Sequence, residues 1–211
     1  MLGKPLIVYT IEQAQKSSLF DAIAVSSDSD EILNISKDSG VEFLIKRSSD
    51  LANDNAAKVP VIRNCVNEVE KITGQRYDLC FDLDCTSPLR DVDDIKKCLE
   101  LMEKKKGDNL ITAMPSRRSP YFNLVELVRD KVRLSKSPEV NVVRRQDAPK
   151  TYDLNASIYV WKREVLESEN KIFLDKTLLY IMPENRSIDI DSDIDFKLVE
   201  LLMREKNAIE R

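Results

Sequence analysis

The sequence predicts one α/β domain, a doubly wound and mostly parallel sheet with helices on both faces, and three observations carry that prediction. Apolar residues recur alternately at helix-like and strand-like spacing, the pattern of consecutive βα units. The connections are short, with no linker, low-complexity segment or internal repeat. A length of 211 residues suits a single domain, 1–211, whose folding buries roughly 70% of the surface exposed by the unfolded chain.

Each element has a local cause. Residues 5–18 read as a helix with Pro5 in its first turn, residues 22–26 as a short apolar strand, and residues 30–39 as a helix closed by Gly40. Residues 41–45 form the next strand, residues 56–72 a helix ending at Gly74, and residues 79–83 a strand. Residues 91–105 are helical up to Gly107, and residues 110–113 are a strand. The alternation then breaks. Residues 124–134 alternate on either side of Arg129-Asp130, which predicts a β-hairpin, and residues 135–153 are polar and punctuated by proline. Such an excursion inside a compact fold often reaches a partner subunit or covers a site. Regularity returns with a strand at residues 156–161, a short helix from Arg163, a strand at 178–182 and an amphipathic helix at 194–206.

Composition narrows the chemistry. The chain has no histidine, so no Ser-His-Asp or Cys-His nucleophile and no histidine metal site exist; proton transfer falls to Asp, Glu, Lys, Tyr, Cys or water. Its four glycines, Gly3, Gly40, Gly74 and Gly107, stand alone and form no phosphate-binding glycine loop. A net charge of -4 with interspersed signs provides no footprint for nucleic acid. Cys65, Cys80, Cys85 and Cys98 contain no CxxC pair and read as reduced thiols, which suits the cytoplasm. Neither a signal peptide nor an apolar run long enough to span a membrane is present.

The acidic residues carry the strongest chemical signal. Asp82-Leu83-Asp84 falls at the C-terminal end of a predicted strand, where i and i+2 side chains share a face and open α/β sheets bind ligands. Asp189-Ile190-Asp191 is a second such pair, followed by Asp193 and Asp195. Paired carboxylates can hold Mg²⁺ together with water and phosphate oxygens, but Asp is also a common loop and helix-capping residue. The chain also opens directly with a helix, whereas doubly wound sheets commonly begin with a central strand and a phosphate-binding loop. Either the fold starts with a helix, or a strand and loop of about 15–25 residues is expected ahead of it.

Asp82-Leu83-Asp84-Cys85-Thr86-Ser87-Pro88-Leu89-Arg90 resembles the TSPLR segment of the cytidylyltransferases that activate nonulosonic acids, the CMP-sialic acid synthetase family. Gly3-Lys4-Pro5-Leu6-Ile7, Val25-Ser26-Ser27-Asp28, Arg47 with Leu51-Ala52-Asn53-Asp54, Arg145-Gln146-Asp147-Ala148-Pro149, Asn155-Ala156-Ser157-Ile158-Tyr159 and Ser187-Ile188-Asp189-Ile190-Asp191 resemble further family segments in the same order. Asp84, Pro120-Tyr121-Phe122-Asn123 and Tyr152 with Asn155-Ala156-Ser157 are most similar to the branch that uses legionaminic acid or a close relative. Asp84 and Phe122 depart from the Gln and Lys typical of the N-acetylneuraminate branch, and Lys58 replaces a Ser that lies by the cytosine in some relatives. The family begins with a strand and an A-R-x-x-S-K/R-x-x-x-K-N loop that holds the triphosphate. This sequence starts just after it, so little or no turnover is expected from the chain as written, and restoring the segment is expected to rescue it.

The resemblance implies Mg²⁺-dependent transfer from CTP to a nonulosonic acid, giving the CMP-sugar and pyrophosphate. It implies Asp189 and Asp191 as metal ligands and, with Arg145, as the catalytic set. It places Arg47, Asp54, Ala56, Thr86 and Ser87 at the nucleotide, and Asp84, Arg145, Asn155 and Tyr159 around the sugar. Residues 116–155 become a dimerisation arm in a homodimer. Two alternatives stay open: a glycosyltransferase whose D-x-D holds a nucleotide sugar, and a non-catalytic relative that dimerises or binds ligand.

Overall fold

The computed structural model describes residues 1–53, 55–137 and 144–209. In chain order the elements are α1 (Leu6–Ser17), β1 (Ala24–Ser27), α2 (Asp30–Asp38), β2 (Phe43–Lys46), α3 (Lys58–Thr73), β3 (Leu79–Leu83), α4 (Val92–Lys105), β4 (Asn109–Pro115), β5 (Val125–Val128), β6 (Lys131–Leu134), β7 (Tyr152–Lys162), α5 (Arg163–Ser168), β8 (Thr177–Ile181) and α6 (Asp193–Ile209). Among the described residues no helix is long and apolar enough to cross a membrane.

The α/β alternation folds as the periodicity requires, with two differences in the sheet. β1 and β2 pair in parallel as a two-stranded sheet, while β3, β7, β4 and β8 form a second sheet in that order. Among the described residues no hydrogen-bonded ladder joins β1 to β3; α3 packs on both β1 and β2 and reaches the larger sheet through Val59. Within the larger sheet β4 and β8 are parallel, but β7 runs antiparallel to both its neighbours. Chain path explains the reversal. The excursion leaves from the end of β4 and returns at the same end of the sheet, Pro115 opposite Tyr152, so the returning strand has to run back along β4.

The core forms on both faces of this sheet. Phe81, Leu83, Ile158 and Val160 face Ile95, Cys98 and Met102 of α4. Cys80, Tyr159, Trp161 and Ile111 face Val59 of α3 and Leu166 of α5. Alternate residues of β3 thus point to opposite faces. Phe81 is held against Phe20 in an edge-on contact; Asp82 looks toward α3.

The hairpin β5–β6 forms as its alternation predicts, with Val128 opposite Lys131 and a two-residue turn. Arg129 and Asp130 both have positive φ, +48° and +61°, the sign at both central positions that gives a turn the twist of its strands. All eight residues of its strands are exposed.

Gly107 serves a purpose other than the helix stop read from sequence. The left-handed residue that ends α4 is Lys106, φ +52°. Gly107 is required by close approach: a Cβ there would run into the Leu178 side chain of β8. Gly107→Ala is therefore expected to cost about 1–3 kcal/mol through overpacking. The loss would be read as a lower urea midpoint with an unchanged slope.

Candidate active site

The two acidic pairs come together at the C-terminal ends of the parallel strands. Asp82 and Asp84 lie on the α3 side at the end of β3, and Asp189-Ile190-Asp191 follows β8. The turns are joined directly, since the Ile190 amide donates to the Thr86 carbonyl at 3.0 Å.

Three supports place the first pair. Asp82 is the register partner of Tyr159 on β7, so its carboxylate stands beside that ring. Beyond the strand, the Asp84 amide donates to the Ser157 carbonyl at 3.2 Å, and Asp84 Oδ1 accepts from the Thr86 amide at 3.3 Å and hydroxyl at 3.0 Å. Beneath them Arg90, 1% exposed, donates to the carbonyls of Asp84 and Ser157, to Thr10 Oγ1 at 2.8 Å and to Gln13 Oε1 at 2.9 Å. Burial depresses the Arg90 pKa to about 10 despite the nearby carboxylates, which leaves it charged at neutral pH.

Lys58, the first residue of α3, lies over this pair. Its ammonium is 3.0 Å from Asp82 Oδ2 and 3.0 Å from Asp84 Oδ2, and 4.7 Å from the centre of the Tyr159 ring. Burial works against its charge, but the two carboxylates outweigh that and raise its pKa. Burial likewise opposes ionisation of Asp84, yet Lys58 and the Thr86 hydrogen bonds hold its pKa below the ordinary value. Sequence reading noted Lys58 only as a departure from a Ser. The signal available was its place at a helix N-terminus, where a cation opposes the helix dipole.

The second pair is anchored from the side. Arg186 donates to both oxygens of Asp94 at 2.9 Å, and the Tyr180 hydroxyl donates to the same carboxylate at 3.0 Å. Asp94 also closes the N-terminus of α4 by accepting from the Asp91 amide at 2.9 Å. Asp191 is exposed, whereas Asp189 is partly buried and its Oδ1 has no hydrogen-bond partner. Burial, with the like charges of Asp84 and Asp191, raises the Asp189 pKa. Among the described residues no group of three or more Cys, Asp or Glu is disposed to enclose a metal. Asp189 with its orphaned oxygen, next to Asp191, instead fits a cation that takes one or two carboxylates and completes its shell with water and phosphate.

The other residues singled out in the sequence are distributed around this centre. Arg47 follows β2 and donates to the Ser26 carbonyl at 2.7 Å. The Ala56 amide is committed to the Asn53 carbonyl at 3.0 Å. Ser87 is buried and donates to the Asn155 carbonyl at 2.9 Å. Asn155 is buried in a bulge of β7, beside Ala156 with φ +48°. Its Oδ1 accepts from Thr112 at 2.7 Å, and its Nδ2 donates to Ser187 Oγ at 3.0 Å and also contacts Met182 Sδ. Asn155 thus forms part of the floor beneath the site. Arg145 is exposed on the excursion and donates to the Ser116 carbonyl at 3.0 Å, apart from the acidic pairs. Asp54 lies outside the described residues, as do residues 138–143 of the 116–155 arm. Two surface hollows, one between β2 and α3 and one beside Glu70 and Arg163, lie away from this centre.

A family model described as Cytidylyltransferase matches residues 1–210. A post-translational flagellin modification protein B of Campylobacter coli is 46% identical over 202 residues, 96% of this chain and 85% of that protein. A CMP-N,N'-diacetyllegionaminic acid synthase of Campylobacter jejuni shows the same 46% identity over 202 residues and the same coverage. Among solved structures, a CMP:2-keto-3-deoxy-manno-octonic acid synthetase complexed with CTP superposes with a TM-score of 0.68 at 16% identity, covering 98% of this chain and 90% of that one. At that identity the likeness is one of fold.

The buried end of the Arg186–Asp94 pair gives a test of the anchor. Asp94→Asn leaves the Arg186 guanidinium facing a neutral amide, but Asp91 remains 3.2 Å away as a second carboxylate, so the loss should fall below the roughly 3–5 kcal/mol of an uncompensated buried charge. Burial opposes the charge of Asp94, but Arg186 and its hydrogen bonds outweigh it and depress the pKa. The stabilisation is therefore complete above the unfolded value of about 3.9 and lost as pH falls through the folded value. Urea melts from pH 7 to pH 3 should show this acid loss in the unaltered chain and a smaller one in the variant.

Proposed function

Because this chain belongs to the cytidylyltransferase family, we propose that it transfers the cytidylyl group of CTP to a nonulosonic acid of the legionaminate or N-acylneuraminate type, giving the CMP-sugar and pyrophosphate. The observation that carries the reading is the junction of two acidic pairs at the strand ends, tied through Ile190 and Thr86, in a chain so similar to a CMP-sugar synthase. The anomeric hydroxyl attacks the α-phosphorus in line, the bond to the β-phosphate oxygen breaks, and pyrophosphate leaves; positioning and charge neutralisation supply most of the acceleration.

Each residue takes a part that its place allows. Asp189 and Asp191 would hold Mg²⁺, whose chemistry is to neutralise the phosphate oxygens. Arg47 and Ala56 take the nucleotide side, with Asp54 assigned there from the sequence resemblance alone, and the Thr86–Ser87 turn takes the side of the reacting phosphate. Asp84 accepts hydrogen bonds from the sugar, with the Tyr159 ring behind it, and Asn155 acts through the floor that it holds. Arg145 offers a planar fork suited to a carboxylate. The glycosyltransferase alternative finds no free metal site at Asp82-x-Asp84, where Lys58 already engages both carboxylates.

Residues 116–155 serve as the arm of a homodimer. Leu127 and Val132 are each 71% exposed on a hairpin with no core of its own, the kind of surface that a second copy covers. We place the protein in the cytoplasm, where Cys65, Cys80, Cys85 and Cys98, all unpaired, remain reduced.

In a chain extended by a strand and basic loop ahead of Met1, pyrophosphate release from CTP should require both an acidic nine-carbon sugar and Mg²⁺. Asp191→Asn should lower it on the order of 10²–10³-fold; near-normal release would remove Asp191 from the phosphate site. Leu127→Asp combined with Val132→Asp should sediment as a monomer at concentrations where the unaltered chain is dimeric. An unchanged sedimentation profile would remove the hairpin from the interface.

A further inference from the structure

We propose that Lys58 is a positioning residue, a resident ammonium that bridges the Asp82 and Asp84 carboxylates where a divalent cation would otherwise lie, and so presents Asp84 to the sugar as a fixed acceptor. The sugar part of this inference rests on the function proposed above. The bridging part does not.

Three features of the chain converge on it. First, Lys58 opens α3, and no acidic side chain accompanies it in the first turn. A cation at that end opposes the helix dipole, so helix stability alone does not account for the residue. Second, its side chain is only 30% exposed, and those of Asp82 and Asp84 are 26% and 27% exposed. Two carboxylate oxygens, each 3.0 Å from one nitrogen in such a half-buried setting, would repel each other without a cation between them. Third, the contacts are unequal. Asp84 Oδ2 accepts a directed hydrogen bond from Lys58, whereas Asp82 Oδ2 is buried and has no hydrogen-bond partner, so the ion pair alone offsets its charge.

The consequence falls on Asp84. One of its oxygens is held by Lys58 and the other by Thr86, which fixes the carboxylate plane and leaves remaining lone pairs as acceptors for hydroxyl or amide N–H groups. The Tyr159 face under the ammonium limits where the lysine stem can go. A comparable cation, Arg163, lies between Glu70 and Glu167 and also bonds Asn67, but it stands on the seam of α3 and α5, away from the strand ends. There the arrangement secures helix packing.

The test uses the full chain with Lys58→Met, Lys58→Gln and Lys58→Arg, each checked for folding by thermal melting. Mn²⁺ alone is titrated and the free ion counted by paramagnetic resonance. Lys58→Met, or Lys58→Gln should the Met variant not fold, is expected to bind one more Mn²⁺ per chain than the unaltered protein, and Lys58→Arg none. Equal stoichiometry in all of them overturns the bridging role. In the pyrophosphate assay, run on the same extended chain as above, Lys58→Met should raise KM for the sugar about tenfold or more while KM for CTP stays within about twofold, and Lys58→Arg should recover most of the loss. An equal rise in both constants, or none, overturns the positioning role. Absence of pyrophosphate release from the extended chain with Lys58 intact would count against the proposed function, and the Mn²⁺ count would still decide the bridge.

Discussion

The strand ends depend on how the buried guanidinium of Arg90 is satisfied. It has no carboxylate bonded to it; its protons go instead to two backbone carbonyls, a threonine hydroxyl and a glutamine amide. Those acceptors belong to α1, to the turn after β3 and to the bulge of β7, three parts of the chain far apart in sequence. Exposure of such a cation's partners to separate motion would leave buried charge unpaired, at a cost of several kcal/mol. The three parts therefore keep one geometry, and the Asp84–Thr86 turn inherits it.

Charge is arranged around that turn in tiers. Arg90 lies beneath it, Lys58 above it, and Arg186 beside it through Asp94. Each cation meets oxygen in a different way: carbonyls below, a pair of carboxylates above, and a bidentate carboxylate at the side. The result is that Asp84 and Asp94 stay ionised in half-buried or buried surroundings, while Asp189, which has no cation within bonding reach among the described residues, is pushed the other way. A carboxylate with an orphaned oxygen at the edge of a neutralised cluster is the natural point of entry for an external cation.

Much of this was legible from residue order. Period switching located the helices and strands, and it put Asp82-x-Asp84 at a strand end with both carboxylates on one side, where the structure has them, because i and i+2 residues share a face. Arg129-Asp130 marked the hairpin turn. What periodicity does not carry is direction, so the reversal of β7 depended on where the excursion returns. Nor does it carry partners across the sheet. Asn155 reads as a polar residue free for a ligand until the bulge turns it into the floor, and Gly107 reads as a helix stop until Leu178 is seen to lie against it. Lys58 was hidden for the same reason, since its two carboxylates lie 24 and 26 positions later in the chain.

The hairpin has one more property. In a strand packed on a core, a slip of one residue moves every apolar side chain to the wrong face, and burial thereby enforces register. β5 and β6 are exposed throughout, so that penalty is absent within one chain. Their alignment is held by ladder bonds, by the left-handed turn at Arg129-Asp130 and by bonds at the open end, where the Ser135 hydroxyl donates to Glu126 and its amide to the Leu124 carbonyl. Sequence change along its strands is thus cheap for the isolated fold and is answerable only to whatever surface the hairpin meets.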